Sequence, residues 1–108
     1  MDRKEGNVDR KDYDRLEDIH LSKLRQFDDA GRDLYDLKNE NKRIWDEGQM
    51  MIQDIQLQSP EVNLNNFMID LEGRFDDFNR QVLRKEDDLE KLRWEEKRNF
   101  VEKTGGYR

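Results

Sequence analysis

The side chains of this chain that could do chemistry are one histidine and a large number of carboxylates. His20 is the only histidine and cysteine is absent, which removes thiolate nucleophiles, disulfides and thiolate metal sites. A structural zinc site draws four ligands from Cys and His, and a lone imidazole does not supply them, so no metal is expected. Asp28-Asp29, Asp76-Asp77 and Asp87-Asp88 stand as adjacent pairs. Two carboxylates act as acid and base only where a concave, partly dry site drives their pKa values apart. Among 27 acidic residues, pairs at helical spacing arise in any case. They read as solvated faces, tied by ion pairs such as Asp87–Lys91, Lys91–Glu95 and Arg98–Glu102. No phosphate loop, dinucleotide glycine motif, calcium loop or nucleophile elbow is present. The expected function is therefore non-enzymatic and needs no cofactor.

Composition narrows the classes further. Charged residues make up 44% of the 108 and the hydrophobic set 32%, with a formal net charge of −6. Small chains bury a modest fraction of their surface, and this one has too little apolar material for a closed globule. The alternatives are disorder or long helices with a narrow apolar seam. A nucleic-acid surface would be basic, whereas here bases alternate with acids, as in Arg84-Lys85-Glu86-Asp87-Asp88. The same interleaving weakens an acidic nucleic-acid mimic. Met1 to Asn7 lacks an apolar stretch behind its charges, and no run approaches membrane-spanning length. The expectation is a cytoplasmic protein without membrane insertion.

Those side chains must be positioned by helices. Pro60, the single proline, follows Ser59 near the midpoint. Ser-Pro-Glu predicts a helix start, with a serine cap, proline at the first position and Glu61 at the positive dipole end. One helical hairpin over 1–108 follows: helix 1 over about 8–57, a turn at 58–60, helix 2 over about 60–103 and a tail at 104–108, where Thr104-Gly105-Gly106 ends the helix. A three-four spacing from Phe27 collects Ala30, Leu34, Leu37, Asn41, Ile44, Gly48, Met51 and Ile55. In the second half it collects Leu64, Met68, Leu71, Phe75, Phe78, Val82, Lys85, Leu89 and Leu92. These are seams of coiled-coil type, and the expected fold is an all-α, antiparallel two-helix hairpin that completes a bundle with a partner.

Folding back at Ser59 predicts facing residues whose numbers sum to about 119 or 120. Ile55 would meet Leu64, Met51 Met68, Gly48 Leu71, Ile44 Phe75, Asn41 Phe78 and Leu34 Lys85. His20 falls near Glu96 and Asn99, either as a pH-sensitive contact or as a polar residue tolerated at a seam edge. Asn41 either specifies register or lies beside an edge. Near the turn the apolar set is wider than two helices can cover. Trp45, Met50, Ile52, Phe67 and Ile69 are therefore the expected partner surface, with Trp94 and Phe100 as a second patch.

Asn79-Arg80-Gln81-Val82-Leu83-Arg84-Lys85-Glu86-Asp87-Asp88-Leu89-Glu90 resembles the LXG-associated α-helical proteins of Gram-positive type VII secretion, in which a basic helix runs into Glu-Asp-Asp-Leu. The layout of the whole chain is similar to the small WXG-type helical hairpins. That resemblance implies a targeting factor or chaperone bound to the helical LXG domain of a toxin, together with a sister small hairpin, and co-export as one outcome. The WXG signature itself is absent, since Trp45-Asp46-Glu47-Gly48 carries an extra residue. The aromatic-x-x-x-acid spacing occurs only early, as Tyr13 to Glu17. Both departures fit an accessory subunit rather than a signal-bearing one. The alternative is a self-assembling scaffold, a homodimeric four-helix bundle.

Overall fold

In the computed structural model, which describes residues 9–105, the chain is all-α. Helix α1 spans Arg10–Gln58 and α2 spans Asn65–Thr104, paired antiparallel as a helical hairpin. Asp9 caps α1: its carboxylate accepts the amide of Asp12 at 2.8 Å and its carbonyl accepts that of Tyr13 at 2.9 Å. One side chain thus satisfies a donor that the first helical turn leaves without an intrahelical partner. At the other terminus α2 ends at Thr104, and Gly105 takes a φ of 63°. That left-handed cap is what glycine permits at little steric cost, so the expected stop is observed; Gly106 and the rest of the tail lie outside the described residues.

The connection differs from expectation. Pro60 does not open α2. The Val62 amide donates to the Ser59 carbonyl at 3.0 Å, which makes Ser59-Pro60-Glu61-Val62 a β-turn with proline at its second position. Proline's fixed φ suits that position as well as it suits a helix start. Residues 62–64 then have no regular secondary structure. Asn63 accepts the Asn65 amide at 2.9 Å through its side-chain oxygen, and the Leu64 carbonyl begins the helical ladder at Met68. The start of α2 is therefore Asn65, five residues later than the proline signal placed it.

The chain divides into two compact units. One joins the α1 residues through Arg32 to the α2 residues from Asp87 onward; the other is Asp33–Glu86, which contains the turn.

In the turn-containing unit the interface on α1 is Leu34, Lys38, Asn41, Trp45, Gly48, Ile52 and Ile55. Four of the seven expected positions, Leu34, Asn41, Gly48 and Ile55, are in place. Leu37, Ile44 and Met51 are exposed, and their C-terminal neighbours Lys38, Trp45 and Ile52 take the inward positions. Across from α1 the expected Leu64, just before α2, and Met68, Leu71, Phe75, Phe78 and Val82 of α2 all face the interface, after which Glu86 replaces the exposed Lys85. The predicted register holds where side chains report it. A Cβ on Gly48 would lie 2.6 Å from Leu71 Cδ2. Trp45, not Ile44, stacks on Phe75, with ring centroids 4.9 Å apart. Asn41 donates to the Phe75 carbonyl at 3.2 Å and to Asn79 Oδ1 at 3.0 Å. Lys38 reaches Glu86 at 3.2 Å, so an ion pair stands where Leu34 was expected to meet the stem of Lys85.

In the other unit the contacts are more polar. Arg93 crosses from α2 to donate to Asp28 at 2.7 Å and to the Phe27 carbonyl at 3.2 Å. His20 is buried, and its ring stacks on Phe100 with centroids 4.2 Å apart and planes within 9°. Tyr13 tilts against the same phenyl ring at 5.7 Å. The Thr104 hydroxyl donates to the Phe100 carbonyl at 2.9 Å. Leu92, expected in the seam, is exposed beside the inward Arg93.

Candidate partner-binding faces

The one-residue displacement of the α1 seam decides what the turn-containing unit shows to solvent. A helix with inward residues at 34, 38, 41, 45, 48, 52 and 55 has two flanks. On one flank Leu37, Ile44 and Met51 recur every seven residues, and each is 47–56% exposed. Exposed Phe67 belongs to the α2 row that runs through Leu71, Arg74 and Phe78, which borders the same side. Together they line one side of the helix pair, which is apolar along α1 and mixed along α2, where exposed Arg74 follows Phe67. Beyond Leu37, Ile44 and Met51, a second row of α1 is acidic throughout: Asp33, Glu40, Glu47 and Asp54. Arg43 bonds both Glu40 and Glu47, and its hydrogen bond holds the Glu40 carboxyl below the usual carboxylate range. Among the described residues Asp33 and Asp54 pair with no cation.

The opposite side is built around Trp45. A shallow cavity of about 470 Å³ is bordered there by Lys38, Lys42, Trp45, Phe75, Asn79 and Leu83. A second hollow beside it involves Gln49, Met68 and Ile69. Its walls mix ammonium groups, amides and hydrocarbon, with no row of a single charge.

The expected interface residues therefore do not form one patch. Ile52, 3% exposed, is core. It sits in the seam position that the sequence pattern gave to Met51, so it is unavailable to a partner. Trp45 is half-buried against Phe75 and offers one edge to the cavity. Phe100 is half-buried between Tyr13 and His20. Met50, 63% exposed, lies on the outer surface of α1, and Phe67 and Ile69 occupy opposite sides of the helix pair. Trp94 is exposed, with the Arg98 guanidinium 4.7 Å above its ring; Arg98 thus forms a cation–π contact in place of the expected pair with Glu102. The row Leu37, Ile44 and Met51 was missed as a surface because it had been assigned to the core. The four acidic residues beside it, repeating every seven positions, were the available signal, since a charged row borders the solvent side of an apolar stripe.

His20 and Glu96 do meet as expected. The imidazole Nδ1 donates to Glu96 Oε2 at 2.7 Å and Lys23 approaches Oε1 at 3.5 Å. Burial pushes the Glu96 carboxyl up, but the His20 hydrogen bond and the Lys23 charge outweigh it and leave the carboxyl lowered. With Phe100 stacked on the imidazole, this cluster ties α1 to α2 and offers no open position to a ligand. No helix of the described residues is long and apolar enough to cross a membrane. No protein-family profile, curated protein or solved structure matches the chain.

Proposed function

We propose that the chain is a non-enzymatic targeting factor or chaperone, which binds the helical LXG domain of a type VII secreted toxin by helix-on-helix docking and promotes its export. The observation that supports this reading is the imbalance between core and surface. Among the described residues, Leu34, Ile52 and Val82 are the buried hydrophobic side chains, while fifteen large hydrophobic ones are exposed. Scattered exposed apolar residues are ordinary, but aligned rows of them mark interaction surfaces. A further helix laid on the hairpin would cover such rows and bring the assembly to the proportions of a bundle. The link to type VII export rests on the likeness of Asn79–Glu90 to LXG-associated proteins and of the layout to small secretion hairpins.

The test is co-expression with a neighbouring gene product that carries an LXG domain, followed by size-exclusion chromatography with light scattering and circular dichroism. A defined hetero-complex, more helical and more heat-stable than the separate chains, is expected. A second reading, a homodimeric scaffold, draws on the same exposed rows; a stable homodimer that ignores the LXG chain would establish it instead.

A further inference from the structure

We infer that the groove bordered by Leu37, Ile44, Met51 and Phe67 receives one amphipathic helix of a partner protein, whose apolar stripe is flanked by Lys and Arg on the side lying along α1. This inference rests on the docking reading above and specifies its surface and its chemistry. The groove side of α1 is apolar at every seventh position, and its outer rim is acidic at every seventh position from Asp33 to Asp54. That is the arrangement by which coiled coils choose partners: hydrophobic rows supply contact, and charges beside them set orientation and exclude like-charged helices.

The two rims differ. Along α2 the charges balance, because Asp70 pairs with Arg74, Asp77 with Arg80, and Arg84 follows in the same outer row as Asp70 and Asp77. Along α1, Arg43 stands behind Glu40 and Glu47 and offsets part of their charge, while Asp33 and Asp54 remain uncompensated among the described residues. A cationic edge on the incoming helix complements α1 and meets no net opposition from α2. A second copy of this chain fits less well, because two-fold packing of α1 on α1 would set two rows of four carboxylates against each other. The side around Trp45 lacks such a code, since Lys42 and Asp46 pair with each other there.

The probes are two synthetic three-heptad peptides with the same Leu/Ile stripe, one flanked by lysine and the other by glutamate, titrated into the full chain by fluorescence anisotropy. The lysine peptide is expected to bind and the glutamate peptide not to. Ile44→Asp should abolish binding, and Ile69→Asp, on the opposite side, should leave it unchanged. A quadruple variant, Asp33→Asn, Glu40→Gln, Glu47→Gln and Asp54→Asn, keeps the apolar row and should weaken binding about tenfold, as four exposed ion pairs of a few tenths of a kcal/mol each imply. Circular dichroism of each variant verifies that the helices are retained. Equal binding of both peptides, binding of neither, insensitivity to Ile44→Asp, or a stable homodimer that Ile44→Asp dissociates would each overturn the inference. The two readings fail separately. An LXG domain captured as well by the Ile44→Asp chain as by the native one sinks the groove and keeps the chaperone. A lysine peptide bound through Ile44, with no capture of an LXG domain, does the reverse.

Discussion

Single residues show how narrow the division between core and surface is on these helices. Ile52 and Met50 stand two positions apart, one 3% and the other 63% exposed. Truncating Ile52 to alanine removes seam hydrocarbon and leaves a gap that the paired helices close only in part. The expected loss is about 2–3 kcal/mol, the lower part of the usual range, because solvent reaches both sides of the pair. Met50→Ala should change stability by less than about 0.5 kcal/mol. Urea unfolding of both variants checks the pair, and equal losses would mean that the seam is wrongly placed. Glu96 makes a pH statement of the same kind. Its carboxyl is lowered in the folded chain by His20 and Lys23 against the upward push of burial, so its contribution is present above its ordinary value of 4.5 and is lost as pH falls through the lower folded value. Melting temperature should therefore drop on acidification below about pH 4.5, and Glu96→Gln should flatten that limb while lowering stability at pH 7. An acid limb as steep in the variant as in the native chain would assign the effect to other carboxylates.

Each element, taken whole, owes its stability to pairing more than to intrinsic propensity, since helical stability in proteins comes mostly from packing an amphipathic face. Two glycines separate the contributions. At Gly73 an added Cβ meets nothing within 4 Å, whereas at Gly48 it would lie 2.6 Å from Leu71 Cδ2. Gly73→Ala should stabilise by about 0.5–1 kcal/mol through helix propensity alone. Gly48→Ala gains the same backbone contribution but drives Leu71 off its position, at a cost of about 1–3 kcal/mol. It should therefore melt below Gly73→Ala, and a reversed order in thermal scans would mean that the helices are less close at Gly48 than the contact indicates. Most of the α1 seam was legible in the sequence for the same reason that Leu37, Ile44 and Met51 were misplaced. Phe27, Leu34, Asn41, Gly48 and Ile55 fit both a three-four and a four-three reading. Ile44 and Met51 are about as apolar as the alternatives Trp45 and Ile52, and Leu37 is more apolar than Lys38. Hydrophobicity alone therefore favoured the row that the structure leaves exposed. The α2 seam was legible through Val82; beyond it a four-residue step to Glu86 shifts the row, and the charged inward residues Glu86 and Arg93 carry no apolar signal.

For the molecule as a whole, a chain of net charge −6 with 44% charged residues has little core to draw on, and partner binding adds directly to its stability. A partner that binds only the folded hairpin stabilises it by RT ln(1 + [L]/Kd), about 2.7 kcal/mol at a hundredfold excess over Kd. The melting temperature of the chain should accordingly rise with the concentration of a true partner and continue to rise after the helices are fully formed. A melting temperature indifferent to a co-purifying chain would mark that chain as a bystander.

The amino-acid sequence by itself determined the class of this protein: two long helices folded back near Pro60, in a register whose facing numbers sum to about 120. Repeating apolar positions and a single proline are local signals, and they survive without knowledge of the fold. Only the tertiary structure decided which of two adjacent apolar rows on α1 is core, that Pro60 belongs to a β-turn rather than to α2, and that Phe67 and Ile69 lie on opposite sides. Each of these depends on how one helix is rotated about its axis against the other. A rotation of one residue's arc exchanges Trp45 for Ile44 at nearly equal hydrophobicity. It is settled by side-chain shape, through Trp45 stacking on Phe75, Gly48 admitting Leu71 and Asn41 bonding across the pair.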